Sequence, residues 1–127
     1  MYKTPIRPIV WIVDSQQWPR TYLRAELIER GFDAVGFTDL EQALTALYDP
    51  HSPTPRMIVL ELRGLSLKRE DLNTLTRAGI PMIALGGALE LNHEFVKEVK
   101  WAALLRRPFT IGNVADLVGE LLGRAPS

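Results

Sequence analysis

Pro8-Ile-Val-Trp-Ile-Val13 is a short, nearly continuous apolar run that ends on Asp14. A run this short and this unbroken suits a strand buried on both faces, as in a parallel sheet. The pattern recurs three times. Met57-Ile-Val-Leu60 ends on Glu61, Ile80-Pro-Met-Ile-Ala-Leu85 ends on Gly86-Gly87, and Trp101-Ala-Ala-Leu-Leu105 ends on Arg106-Arg107-Pro108. A weaker segment between the first two runs, Asp33-Ala-Val-Gly-Phe37, reads as a fifth strand.

Helical spacing fills the gaps. From Pro19 to Arg30 the apolar residues Tyr22, Leu23, Leu27 and Ile28 share a face, and Gly31 supplies a stop. Thr38-x-x-Glu41 reads as a capping box opening a helix with Leu40, Ala43, Leu44 and Leu47 on one side. Three prolines between Asp49 and Pro55 break it. A poorer helix spans about Lys68 to Arg77, and another, Ala88 to Lys100, carries Leu91, Phe95, Val96 and Val99. Thr110 caps a last helix with Ile111, Val114, Leu117, Val118 and Leu121. Strand and helix thus alternate five times, which predicts an α/β fold: a doubly wound, five-stranded parallel sheet with helices on both faces. Ligands and reactive side chains collect beyond the carboxyl ends of such strands, so Asp14, Glu61, Gly86, Gly87 and Arg107 are the residues to inspect.

Composition narrows the rest. The 127 residues fit one domain, and 15 basic against 15 acidic residues give a formal net charge of zero. Up to Arg63 there are 7 basic and 8 acidic residues and beyond it 8 and 7, so neither half offers a basic face for nucleic acid. The absence of cysteine excludes disulfides, thiolate metal sites and cysteine nucleophiles. Met1 to Pro8 lacks the apolar core of a signal peptide, and no apolar run is long enough to span a membrane. A soluble, cytoplasmic, single domain over residues 1–127, with its core from about 8 to 122, is the expectation. Arg124-Ala-Pro-Ser127 reads equally as a natural tail or as the start of a linker.

Several pieces, in order, resemble the receiver domain of bacterial two-component response regulators, which has the chemotaxis-regulator, flavodoxin-like topology. They are Ile12-Val13-Asp14, Leu23-x-x-x-Leu27-x-x-x-Gly31-Phe32, Val59-Leu60-Glu61-Leu62, Pro81-Met-Ile-Ala-Leu85 and Arg107-Pro108-Phe109. The resemblance covers about Pro8 to Leu122. It implies two adjacent acids holding Mg²⁺ after the first strand and a phosphoacceptor aspartate after the third. A Thr or Ser follows the fourth strand, and a lysine precedes a proline after the fifth.

This sequence departs from that pattern at four of the five positions. Asp14 keeps the first acid, but Ser15 replaces the second, Glu61 the aspartate, Gly86 the hydroxyl residue and Arg107 the lysine. Ser15 removes a negative charge, leaving Asp14 as a weak Mg²⁺ candidate and no other metal or cofactor expected. Glu61 and Arg107 are suited to a standing bidentate ion pair in place of a phosphorylation switch. Other readings stay open: Asp14 as the N-cap of the first helix, Arg107 splayed into solvent, Gly86-Gly87 as a bare turn. The resemblance also implies a cis peptide at Pro108. His51 and His93 lack metal-like company and read as surface residues, and Trp11, Trp18 and Trp101 as core or helix-packing residues.

The expected function is therefore that of an atypical receiver, not an enzyme. It acts on another protein (a histidine kinase, a regulator or an output protein) or on itself as a homodimer, with no nucleic acid or membrane as partner. Leu91, Phe95 and Trp101 mark the partner surface that the resemblance implies. Two alternatives remain: an unconventional phosphoacceptor using Glu61 or Asp14 with weak Mg²⁺ binding, and a small-molecule or flavin-binding flavodoxin-like domain. Against the latter, Asp14-Ser-Gln-Gln-Trp-Pro19 is not a glycine-rich phosphate cradle.

Overall fold

The computed structural model describes residues 6–123, so the terminal readings at Met1–Pro5 and Arg124–Ser127 lie outside the described residues. The elements alternate along the chain as β1 (Ile9–Val13), α1 (Gln17–Glu29), β2 (Asp33–Phe37), α2 (Leu40–Tyr48), β3 (Met57–Glu61) and α3 (Arg69–Arg77). They continue as β4 (Met82–Gly86), α4 (Ala88–Leu91), α5 (Glu94–Lys97), β5 (Ala103–Arg106) and α6 (Ile111–Leu122). All four strand pairings are parallel and the order across the sheet is β2-β1-β3-β4-β5. The chain therefore winds one way from β1 to β2 and the other way from β3 to β5, and the reversal lies between β1 and β3.

Strand periodicity sorts the core into two layers. Val10 and Ile12 point to one face with Leu23, Leu27, Val114 and Val118 of α1 and α6. Trp11 and Val13 point to the other with Leu40, Ala43, Leu72, Leu75 and Val96 of α2, α3 and α5. Each fully buried Leu or Ile contributes about 1.5–3 kcal/mol, so both layers are needed to offset the chain entropy. Trp11 is buried and meets Phe37 edge-on at 4.9 Å.

Helix ends follow from local chemistry. Gly31, at φ 97°, closes α1: its N–H donates to Ile28 and that of Phe32 to Leu27, the pattern of a Schellman cap. Thr110 Oγ1 accepts from Asn113 N at 3.0 Å and Asn113 Oδ1 accepts from Thr110 N at 3.0 Å, a reciprocal cap for α6.

Two expectations need correction. The capping box of α2 is shifted by one residue: Asp39 Oδ1 accepts from Gln42 N, and Gln42, rather than Glu41, accepts from the Thr38 amide. Asp39 is the charged acceptor, well placed against helix N–H groups. The single helix over Ala88–Lys100 is instead two four-residue helices, because His93 Nδ1 accepts from the Phe95 amide and starts a second helix. Trp101 Nε1 donates to Val96 O at 2.8 Å and fixes the end of this segment.

Candidate functional site

The strand register brings the singled-out residues to one rim. Val13 lies opposite Leu60, Glu61 opposite Leu85, and Gly86 opposite Arg106, so the residues at and just after these strand ends face one another. Asp14 and Glu61 are the buried charged residues of this rim, 5% and 4% exposed. Asp14 Oδ1 accepts from Gln16 N at 2.9 Å, and Arg20 donates to the Asp14 carbonyl at 2.7 Å. The N-cap of α1 is Gln16, without a side-chain cap bond, so Asp14 is not the helix cap. Burial pushes the Asp14 carboxyl above the usual carboxylate range, against the pull of the Gln16 amide and of Arg63, Arg20 and Arg107.

Glu61 and Arg107 meet in a fork. Arg107 Nη1 donates to Oε1 at 2.6 Å and Nη2 to Oε2 at 2.8 Å, while Arg63 N donates to Oε2 at 3.1 Å. Both carboxylate oxygens are engaged, and Arg107 is thereby not splayed into solvent. Burial raises Glu61 above the ordinary range, opposed first by the Arg63 amide and then by the charges of Arg107 and Arg63. Arg107 is itself anchored: its N–H donates to Gly86 O at 2.9 Å, its guanidinium carbon lies 5.2 Å from the Phe109 ring centroid, and the Arg107–Pro108 peptide is cis. Glu90 Oε1 stands 3.9 Å from Arg107 and accepts from Gly87 N at 3.2 Å, a bond that holds the Glu90 carboxyl below its usual range.

Gly86 and Gly87 join a strand to a helix. Gly86 ends β4, and a Cβ there would stand 3.2 Å from Glu90 Cβ and 3.6 Å from the Leu91 side chain. Gly87 caps the α4 segment. Ser15 is exposed, and its Oγ donates to Arg63 O at 3.2 Å, fastening the loop after β3. That loop turns at Gly64 (φ 74°), where a Cβ would collide with Ser15 Oγ at 2.6 Å.

One side chain of the rim, Arg63, carries a signal that sequence reasoning passed over, and another, Trp18, departs from the packing role expected of it. Arg63 Nη2 lies 3.9 Å from Asp14 Oδ1 and 4.0 Å from Glu61 Oε1, and its Nε is buried without a partner. Its signal is its place two residues after a strand-end acid. Trp18 is 63% exposed rather than packed, and it stacks on Tyr22, itself 57% exposed, with ring centroids 6.1 Å apart. The Trp18-Pro19 start of the first helix, pointing off the sheet, is its signal.

No protein-family model matches the chain, and no curated protein matches it. Solved structures do. A response regulator receiver protein from Pseudomonas putida matches with a TM-score of 0.75 and 24% identity, over 92% of this chain and 99% of that one. A chemotaxis response regulator of Vibrio cholerae matches at 0.74 and 15% identity, over 91% and 99%. A Francisella response regulator receiver domain matches at 0.72 and 22%, over 91% and 96%. The fold is the receiver fold. At these identities the likeness is one of fold, and the chemistry has to come from the rim itself.

The rim of this receiver fold is a poor cradle for the Mg²⁺ that the resemblance implies. A hard divalent cation takes six or more oxygens, with carboxylates to balance its charge. Here Glu61 spends both oxygens on Arg107, Asp14 spends one on Gln16, and a guanidinium lies within 4 Å of each acid. Among the described residues no three His, Cys, Asp or Glu side chains converge on one point. Among the described residues no helix is long and apolar enough to cross a membrane.

The expected partner surface also looks different in three dimensions. Leu91, Phe95 and Trp101 are half-buried, packed against the second core layer. The exposed apolar side chains on that side are Leu89 at 87% and Leu104 at 53%, on α4 and on the edge strand β5. His51 and His93 are exposed.

Proposed function

We propose that this chain is an atypical receiver, a single unit over about residues 8–122, which signals by contact with another protein and not by accepting a phosphoryl group. The Glu61–Arg107 fork carries this reading. A carboxylate with both oxygens in charge-assisted hydrogen bonds is a weak nucleophile, and it fills the space an incoming phosphoryl group would need. Gly86 offers no hydroxyl to be drawn toward such a group, and the close approach of Glu90 and Leu91 leaves a bulkier residue little room. Mg²⁺ binds weakly, through Asp14 at most.

The partner is a kinase, a regulator or output protein, or a second copy of the chain. Contact falls on the α4–β5 side, where Leu89 and Leu104 are exposed and Leu91, Phe95 and Trp101 are half-buried. With no intact switch, the state of this surface is set by folding and by the fork. The test is a pair of amide NMR spectra recorded with and without Mg²⁺ and acetyl phosphate. Unchanged amides for Gly86, Leu89, Leu104 and Arg107 are the expected result. A concerted shift of that group, absent without the phosphodonor, would overturn the proposal in favour of an unconventional phosphoacceptor.

A further inference from the structure

The stacked aromatics and Arg63 line the same cavity. About 310 Å³ in volume, it is walled by Trp18, Tyr22, Phe109 and Ile111 and bordered by Glu61, Arg63 and Arg107. Cavities of this size and mixed lining accept small ligands. Two features are unexplained by the fold alone. Trp18 and Tyr22 expose two large rings side by side on α1, where a helix face turned to water would ordinarily carry polar residues. The Arg63 guanidinium donates no hydrogen bond among the described residues, although it has five N–H groups, and its nearest acids are 3.9 and 4.0 Å away.

We propose that this cavity binds a flat aromatic ring bearing one anionic group, with the ring on the Trp18–Tyr22 pair and the anion on the Arg63 guanidinium. A guanidinium presents a planar fork that matches carboxylate and phosphate alike, and aromatic faces hold flat rings by stacking. The two acids nearby do not forbid an anion. Glu61 has both oxygens on Arg107, and Arg63 reaches Asp14 and Glu61 only at 3.9 and 4.0 Å without a hydrogen bond, so its guanidinium still has donors to give. The site needs neither a phosphorylation step nor the α4–β5 surface, so it stands or falls separately from the proposed signalling role.

A phosphorylated nucleoside and an aryl carboxylate share this chemistry. Titrating the ¹⁵N-labelled chain with AMP, adenosine, orthophosphate and benzoate, while following the indole N–H signals of Trp11, Trp18 and Trp101, separates them. The expected result is a saturable shift of the Trp18 signal with AMP or benzoate, the tighter of the two naming the source of the anion. Adenosine and orthophosphate bind at least ten-fold more weakly. Trp18→Ala and Arg63→Met, followed on the Ile111 amide, each weaken the tighter probe at least ten-fold. Trp18 is mostly exposed, so its variant keeps the fold, and an unmoved Trp11 signal verifies this. No saturable shift with AMP or benzoate, adenosine binding as tightly as AMP, or unchanged affinity in Trp18→Ala would each overturn the proposal.

Discussion

Replacing Arg107 with methionine removes the fork and the guanidinium near Phe109 but keeps an unbranched stem of similar length. Glu61 is then left 4% exposed, its oxygens served by the Arg63 amide and by a guanidinium 4.0 Å away. Breaking one side of a buried ion pair costs about 3–5 kcal/mol, because an uncompensated charge stays behind. The Arg107 side chain is 30% exposed, which puts the loss at the low end, about 3 kcal/mol. At roughly 4 °C per kcal/mol for a chain of this size, the melting midpoint falls by about 12 °C.

The reverse substitution is milder. Glu61→Gln keeps an oxygen to accept from Arg107, and Arg107 can turn its charge to water, so the cost is about 1 kcal/mol. The double variant has no buried charge at this point and costs about 2 kcal/mol, less than Arg107→Met alone. Urea unfolding of all four proteins at pH 7 measures the cycle. A double variant less stable than Arg107→Met, or single effects that simply add, would show that the two side chains do not depend on each other. The pH dependence has a definite sign. In Arg107→Met the folded-state pKa of Glu61 rises further above its unfolded value, so stability falls as pH rises through that raised value. The deficit of the variant is therefore smaller at pH 5 than at pH 7.

Three further outcomes follow from the same rim. Asp14→Asn retains an acceptor for the Gln16 amide and removes a carboxylate that burial disfavours, so it raises the thermal midpoint at pH 7 by a few degrees; the gain shrinks as pH falls toward the ordinary aspartate value, where Asp14 itself becomes neutral. Gly64→Ala costs about 2 kcal/mol, read by urea unfolding, since it combines a positive φ with a 2.6 Å contact to Ser15 Oγ; adding Ser15→Ala returns part of that loss. Trp101→Phe loses the bond to Val96 O and about 1 kcal/mol, and hydrogen exchange quickens in α5 before it does in β4.

The strands were legible because a parallel sheet covered on both sides demands unbroken apolar runs, and few other structures do. β2, at the edge, was the weakest signal, because Ala34, Val35 and Phe37 form a short apolar run broken by Gly36 and Val35 is exposed. The break between α4 and α5 was not legible. Leu91, Phe95, Val96 and Val99 have the same spacing on one helix as on two, and neither Asn92 nor His93 is the glycine or proline that would announce a stop. Only the ring nitrogen of His93 taking the Phe95 amide decides it. The shift of the α2 cap has a similar cause, since Thr38 and Asp39 are adjacent and both are good caps.

At the rim, strand ends located Asp14, Glu61 and Gly86, because position after an apolar run is a one-dimensional property. The same rule located Arg107, at the end of the last apolar run. Whether Arg107 reaches Glu61 depends on the pairing of β4 with both β3 and β5, which no local pattern records. Arg63 escapes notice, and Trp18 reads as a packing residue, for the same reason. Each looks like an ordinary loop or helix-start residue until the sheet brings the first turn of α1 and the loop after β3 to a common cavity.

The claim that the fork stands where a phosphorylation switch would operate is tested most directly by intact mass. The chain is incubated with Mg²⁺ and acetyl phosphate and weighed without acid treatment. The predicted result is an unchanged mass for the wild-type chain, alongside a stable, coupled Glu61–Arg107 pair. A gain of one phosphoryl group that disappears in Glu61→Gln would contradict it.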